Sequence, residues 1–224
     1  MEHAFTSITA MVDTIADMVS RPRKPFFIEM LDEDYLELER SMGRHAPKVN
    51  VVALFIFEGK STEVQEDVEA LEGIVSEKGG SMLSLDEAEA TWEDRFYPMK
   101  IRKMGPTLLA GEVTHSLSKL VYVVGETRRI KEKHGLRLGI KSFMVAEDPV
   151  LYMPMYLADE RKRWKFMSLL PVVNEITSVG LKAGGGPYGF GIWNSFFLKD
   201  VYGEKKVREM KERKRTLDPK DIMN

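Results

Sequence analysis

The 224-residue sequence predicts an α+β fold, a largely antiparallel sheet with helices on one face. Two observations lead there: apolar stretches of strand length alternate with amphipathic stretches of helical period, and several strand-length stretches follow one another across short polar turns. Taken in order, Ile8, Met11, Val12, Ile15, Met18 and Val19 repeat at helical spacing behind the cap candidates Thr6 and Ser7, and Arg21 to Pro25 ends that helix. Phe26–Met30 reads as a short strand, and Asp32 caps a helix running toward Gly43. Val49–Phe57 is the clearest strand, rich in β-branched and aromatic residues.

Ser61 and Thr62 with Gln65 suit a capped helix start, followed by the stripe Val64, Val68, Leu71 and Val75 and stopped at Gly79-Gly80. A strand at Ser81–Ser84 precedes a helix opened by Asp86 that holds Trp92 and Arg95. Leu108–Val113 reads as a strand, Leu117–Lys133 as a helix closing near Gly135, and Arg137–Val145 and Leu151–Tyr156 as two strands about a turn at Glu147-Asp148-Pro149. Arg161–Val179 is again helical and ends at Gly180. This order suggests a ferredoxin-like α+β sandwich in one domain.

Composition excludes several functions. There is no cysteine, so disulfides, thiolate metal sites and cysteine nucleophiles are ruled out. Thirty-three Lys and Arg against 35 Asp and Glu give a net charge of −2, which offers nucleic acid no bulk attraction. No apolar run reaches the roughly 20 residues that cross a bilayer, and Glu2, Asp13 and Asp17 oppose a signal peptide, so a cytoplasmic address is expected. His3, His45, His115 and His134 lack ligand spacing, so no metal is expected. Arg161-Lys162-Arg163 with Trp164 is the stretch best suited to an acidic partner or a membrane surface, although a solvated helix start is the favoured reading of it.

The stretch Ala183-Gly184-Gly185-Gly186-Pro187-Tyr188-Gly189-Phe190-Gly191-Ile192-Trp193-Asn194 is the most informative. Its glycines permit close backbone approach and its aromatic residues offer flat faces, which suits a ligand loop or, equally, a flexible turn. It has neither the strand and downstream acid of a dinucleotide fingerprint nor the Gly-Lys-Ser/Thr of a P-loop.

From this loop onward the sequence resembles the C-terminal region of the FAD-linked oxidases of the vanillyl-alcohol oxidase superfamily. The resemblance rests on the glycine-rich loop, on Phe197 to Gly203, on a helix at Lys205–Lys214, and on Lys214, Asp218, Pro219, Ile222 and Asn224 standing at the places of that family's closing motif. Upstream, Glu29-Met30-Leu31-Asp32, Phe57-Glu58-Gly59 and Trp92-Glu93-Asp94-Arg95 follow the family's order, so the likeness covers nearly the full length. The resemblance implies that residues 1–224 form a single cap domain, with 184–224 as a flavin-facing loop and C-terminal helical extension. It also implies that FAD is held mainly by an N-terminal FAD-binding domain or subunit that this sequence lacks. The activity implied is oxidation of the CH–OH group of a small 2-hydroxy acid of D-lactate or glycolate type.

By the same resemblance Arg95 grips the substrate carboxylate, Lys100 adds positive potential, and Tyr188 points at the reacting carbon or the flavin. Gly186, Tyr188, Asn194 and Asn224 are the candidate flavin contacts. Read from spacing alone, Arg95 instead pairs with a neighbouring acid such as Glu89, Glu93 or Asp94. The sequence departs from the family where Gly139 to Met144 carries no histidine and where Pro187-Tyr188 replaces a Glu-His pair, so the usual proton acceptor is missing. The alternative to the flavoenzyme reading is a non-catalytic ferredoxin-like ligand-binding or interaction module.

Overall fold

The computed structural model describes residues 1–44, 46–145, 147–191 and 193–223, the side chains of residues 98, 145, 147 and 148 excepted. Its framework is β1 (Glu2–Phe5), α1 (Ile8–Val19), β2 (Phe27–Asp32), α2 (Glu33–Ser41), β3 (Val51–Ile56), α3 (Ser61–Glu77), β4 (Ser81–Met82) and α4 (Leu85–Asp94). Then come β5 (Thr107–Ala110), β6 (Val113–His115), α5 (Leu120–His134), β7 (Leu138–Val145), β8 (Glu147–Ala158), α6 (Arg163–Lys182), β9 (Gly186–Pro187) and α7 (Leu198–Leu217). The strands form one antiparallel sheet in the order β4-β1-β3-β2-β7-β8-β6-β9, with β5 also pairing β8.

Alternation along each strand divides the core in two. Ile28, Met30, Ala53, Phe55, Ile140, Met144, Tyr152 and Tyr156 point to one face and pack on α1, α3, α5 and α6. Leu31, Val52, Met153 and Met155 point to the other, beneath Tyr35, Leu36 and Leu38 of α2 and Ile101 of a 3-10 turn. The long helices thus lie on one face, as the stripes predict. Elements on the second face cover only part of it. There, α2 presses on β7 at Gly139, where a Cβ would stand 2.6 Å from the Tyr35 Cα.

Several elements differ from the sequence reading. The first strand, β1, is missed, because Glu2 and His3 disguise a fully buried four-residue segment. Leu108–Val113 divides into β5 and β6 around Gly111, whose missing side chain admits Ile176 of α6. Of the two cap candidates for α1, Ser7 serves, accepting from Ala10 N (3.1 Å), whereas the cap of α4 shifts from Asp86 to Ser84. The helix expected at Lys205–Lys214 is the far half of α7, which bends at Gly203 (φ +76°).

Candidate functional site

The second sheet face carries buried charge among its apolar strand residues. Glu29 on β2 and Lys141 on β7 each interrupt an apolar strand, and the register sets Leu31 opposite Lys141 and Glu29 opposite Phe143, which makes the two charges diagonal neighbours. Their ion pair measures 2.8 Å, with 3 % of Lys141 and 1 % of Glu29 side-chain surface exposed. Burial raises the Glu29 pKa, against the opposing pull of Lys141 and, more weakly, of Arg95. A charge so desolvated persists only with a partner.

Aromatic rings connect this pair to Arg95. The Lys141 ammonium lies over Tyr35 (5.5 Å) and Phe143 (5.2 Å), Phe143 packs on Phe27 (5.8 Å), and Phe27 meets Trp92 edge-on (5.8 Å). The Arg95 guanidinium then stacks on Trp92 (3.5 Å) and Phe96 (4.2 Å). Positions 92 and 95 share a face at the end of α4 because they are three residues apart, so the Trp-x-x-Arg spacing itself produces the stack.

Arg95 has no carboxylate partner among the described residues. Its Nη1 donates to the Trp92 carbonyl, and its Nε is buried with no hydrogen bond. The pairing that spacing alone suggests is absent because Asp94 is already engaged by Arg44 and Lys100. Arg44 also reaches Glu39 at 3.6 Å, and burial raises the Glu39 pKa. Four cations, Arg44, Arg95, Lys100 and Lys141, therefore face three acids, Glu29, Glu39 and Asp94. A fourth acid, Glu2 on β1, accepts from Thr91 Oγ1 (2.9 Å) and is pushed up to about 7 by burial, so it adds little negative charge below neutrality. The surplus cation is Arg95. Lys100 is the less available of the two expected substrate-binding cations, since it is held by Asp94 over the Tyr97 ring.

Beyond Glu29 a row of paired residues crosses the sheet: Glu29, Phe143, Leu151, Thr114 and Gly186 stand opposite one another on β2, β7, β8, β6 and β9. Phe143, Leu151, Thr114 and Gly186 all remain partly exposed. Tyr188, whose N–H donates to Glu112 O (2.9 Å), lies at the end of this row and is exposed. Arg95 and Tyr188 are not brought together. They flank opposite ends of the open face, with the β2 and β9 strands four spacings apart, roughly 19 Å at about 4.8 Å each.

The remaining expected flavin contacts fall as follows. Gly186 lies in β9, at the edge of the row. Asn194 is buried and turned inward: its Oδ1 accepts from Thr177 Oγ1 (2.9 Å) and its Nδ2 donates to Gly189 O (2.8 Å), which ties the glycine-rich loop to α6. Asn224 lies outside the described residues. Glu29, Lys141 and Glu2 are the site groups that sequence reasoning passed over. Lys141 carried the clearest signal, the one ionisable residue of β7, whereas β1 holds His3 beside Glu2 and β2 holds Asp32 beside Glu29.

The three described histidines lie apart from one another, each in its own surroundings. His3 is buried edge-on to Phe55 (6.0 Å) on the helical face and burial lowers it to about 4, His115 packs on Tyr152 (5.5 Å), and His134 pairs with Glu175 (2.9 Å). Among the described residues no group of His, Asp or Glu is arranged to hold a metal, and no helix is long and apolar enough to cross a membrane.

An antiparallel sheet is thus backed by long helices on one face, and its other, partly open face is bordered by an arginine with no carboxylate partner among the described residues. The family model "FAD linked oxidases, C-terminal domain" matches residues 3–224, and the chain belongs to that family. It is similar to the probable mitochondrial D-lactate dehydrogenase of Danio rerio, at 21% identity over 231 residues covering 99% of this chain and 46% of the relative. Among solved structures it is similar to p-cresol methylhydroxylase with substrate bound (TM-score 0.70, 13% identity, 97% of this chain and 50% of that one). It is also similar to 4-ethylphenol oxidase from Gulosibacter chungangensis in complex with isoeugenol (TM-score 0.71, 12% identity, 97% and 51%). A third likeness is to alkyldihydroxyacetonephosphate synthase (TM-score 0.57, 16% identity, 99% and 42%). The chain spans about half the length of these relatives.

The family implies FAD, and the residues present fit one end of it. The row of Phe143, Leu151 and Thr114 offers a mostly apolar surface for a planar ring. The glycines Gly184 to Gly186 lead into the two-residue strand β9 and not into a helix N-terminus, so this loop is no strand, glycine turn and helix that would cradle a diphosphate.

Proposed function

We propose that this chain is the substrate-facing cap of a FAD-dependent oxidoreductase acting on the CH–OH group of a small 2-hydroxy acid of D-lactate or glycolate type. In this reading residues 1–224 act as one domain, and FAD is held mainly by a separate FAD-binding domain or subunit. The observation that carries the proposal is the second sheet face, partly uncovered and bordered by a guanidinium with no acid. Family membership and the similarity to a D-lactate dehydrogenase support it.

FAD, when bound, supplies the hydride acceptor. Arg95 orients the substrate: two parallel N–H groups of a guanidinium that has no carboxylate partner among the described residues fit a carboxylate. Stacking on Trp92 and Phe96 limits the rotamers of the guanidinium, which reduces the entropy lost on binding. The Glu29–Lys141 pair holds the floor of the face in register and keeps its local charge near neutral. Tyr188 closes the far edge, and Gly186 lets a ring approach the backbone there. Asn194 acts by holding the loop, through Thr177 and Gly189.

The test is co-expression with a FAD-binding domain of this family, followed by D-lactate and glycolate addition while flavin absorbance is recorded. Bleaching by either acid is expected, and Arg95→Ala is expected to lower kcat/KM by about 2–5 kcal/mol of lost transition-state binding. A change of twofold or less would remove Arg95 from the site. A flavin that no 2-hydroxy acid reduces would overturn the substrate class.

A further inference from the structure

A second charged surface lies at the other end of the β7–β8 ribbon. From Leu151 in the site row to Ala158 at the end of β8 is seven residues, roughly 23 Å at about 3.3 Å per residue. Beyond Ala158 a cleft of about 250 Å³ opens, floored by Met104, Leu157 and Leu169 and rimmed by Arg137, Lys162 and Lys165. None of these three side chains makes an ion pair or hydrogen bond among the described residues, although Lys162 is close enough to Asp159 to help lower its pKa. The acids nearby are engaged: Asp159 accepts from Arg161 Nε (2.8 Å) and Nη2 (3.0 Å), and Glu160 accepts from Thr107 Oγ1. With Arg161 and Arg163 the surface presents five cations against two acids, on a chain whose net charge is −2.

Two further features have no explanation within the chain. Trp164 is 85 % exposed amid these cations, and Met167, three residues on, is exposed as well. The first turn of α6 holds no acid, and its N-cap, Lys162, makes no side-chain cap hydrogen bond, so uncapped N–H groups add to the positive potential. A soluble anion in the cleft would need no tryptophan standing outside it. A bilayer surface would use both, since tryptophan settles at the headgroup level while lysine and arginine meet acidic lipid.

We propose that the cleft of Arg137, Lys162 and Lys165, with Trp164 and Met167 beside it, docks this chain on an anionic phospholipid surface. An acidic headgroup enters the cleft, and the two apolar side chains enter the interfacial layer. The open sheet face lies at the other end of the β7–β8 ribbon, so docking leaves it available.

The experiment is co-sedimentation of the full chain with vesicles of phosphatidylcholine alone and of phosphatidylcholine mixed with phosphatidylglycerol. Binding to the mixed vesicles only, reversed by salt, is expected. Each cation near an acidic surface contributes roughly fivefold, so reversing two in Lys162→Glu/Lys165→Glu is expected to cut the partition coefficient more than tenfold. Trp164→Ala is expected to weaken binding severalfold. All three side chains are exposed, and circular dichroism checks that the variants fold. Equal binding to neutral vesicles, no binding to mixed ones, or a double variant that binds like the parent would each overturn the proposal. So would inorganic phosphate shielding Lys165 from acetylation in a chain that no vesicle retains, which would assign the cleft to a soluble anion.

Discussion

Replacing Lys141 by Met removes one half of a pair that is almost wholly out of water. The ammonium sits 2.8 Å from Glu29, so its loss leaves a buried carboxylate whose remaining cationic influence is the weaker pull of Arg95. Breaking a buried pair from one side costs about 3–5 kcal/mol, most of it the desolvation of the charge left behind. Glu29 has an escape, which is to take up a proton. Burial already raises its pKa and Lys141 is the largest opposing influence, so Lys141→Met raises it further. A carboxyl whose folded pKa lies above its unfolded one loses stability as pH rises from the unfolded value through the folded one. The deficit should therefore be smaller near about pH 5 than near about pH 8. Urea denaturation of the parent, Lys141→Met, and Lys141→Met with Glu29→Gln measures all of this. The double variant should recover at least half of the loss, because a neutral amide costs less to bury than a lone charge. A single-variant loss below about 1 kcal/mol that does not change with pH would refute the reasoning.

Two further outcomes follow from local geometry. Asp32 accepts from Tyr35 N (2.9 Å) and Ile140 N (2.8 Å) through one oxygen, and burial raises it to about 6. Stability should fall as pH rises from the ordinary aspartate value to about 6, by up to about 3 kcal/mol, and Asp32→Asn, which keeps the acceptor, should abolish that fall in a pH series of urea melts. In the glycine-rich loop, a Cβ at Gly185 would overlap the Thr114 carbonyl, whereas one at Gly189 meets nothing within 4 Å. Thermal melts should accordingly place Gly185→Ala several degrees below Gly189→Ala, and equal Tm values would show that β9 is not held against β6 as described.

The sequence disclosed most of the helical face and little of the second one. Stripes such as Val64, Val68, Leu71 and Val75 exist because α1, α3, α5 and α6 each bury one side in the core on the helical face, and period alone reveals that. Strand β1 left no such trace: four residues cannot establish a period, and Glu2 and His3 read as polar although both are buried. The site divides in the same way. Trp92 and Arg95 were legible because their interaction is local, one turn apart on α4. The partnership of Glu29 with Lys141 spans 112 positions and depends on which strands are neighbours, a matter of topology that no local pattern records. Asn194 was legible as a polar loop residue, but its inward hydrogen bond to Thr177 depends on where α6 lies.

The account turns on the open second face being covered by a flavin-bearing partner. Titration calorimetry of the FAD-loaded partner into this chain and into Leu151→Arg, a change at the centre of the cross-sheet row, measures that directly. Tight binding by the parent and at least tenfold weaker binding by a folded Leu151→Arg variant are expected, since an arginine there would be forced against an apolar ring. Binding undiminished by the substitution would mean that the partner sits elsewhere and that this face is not the flavin side.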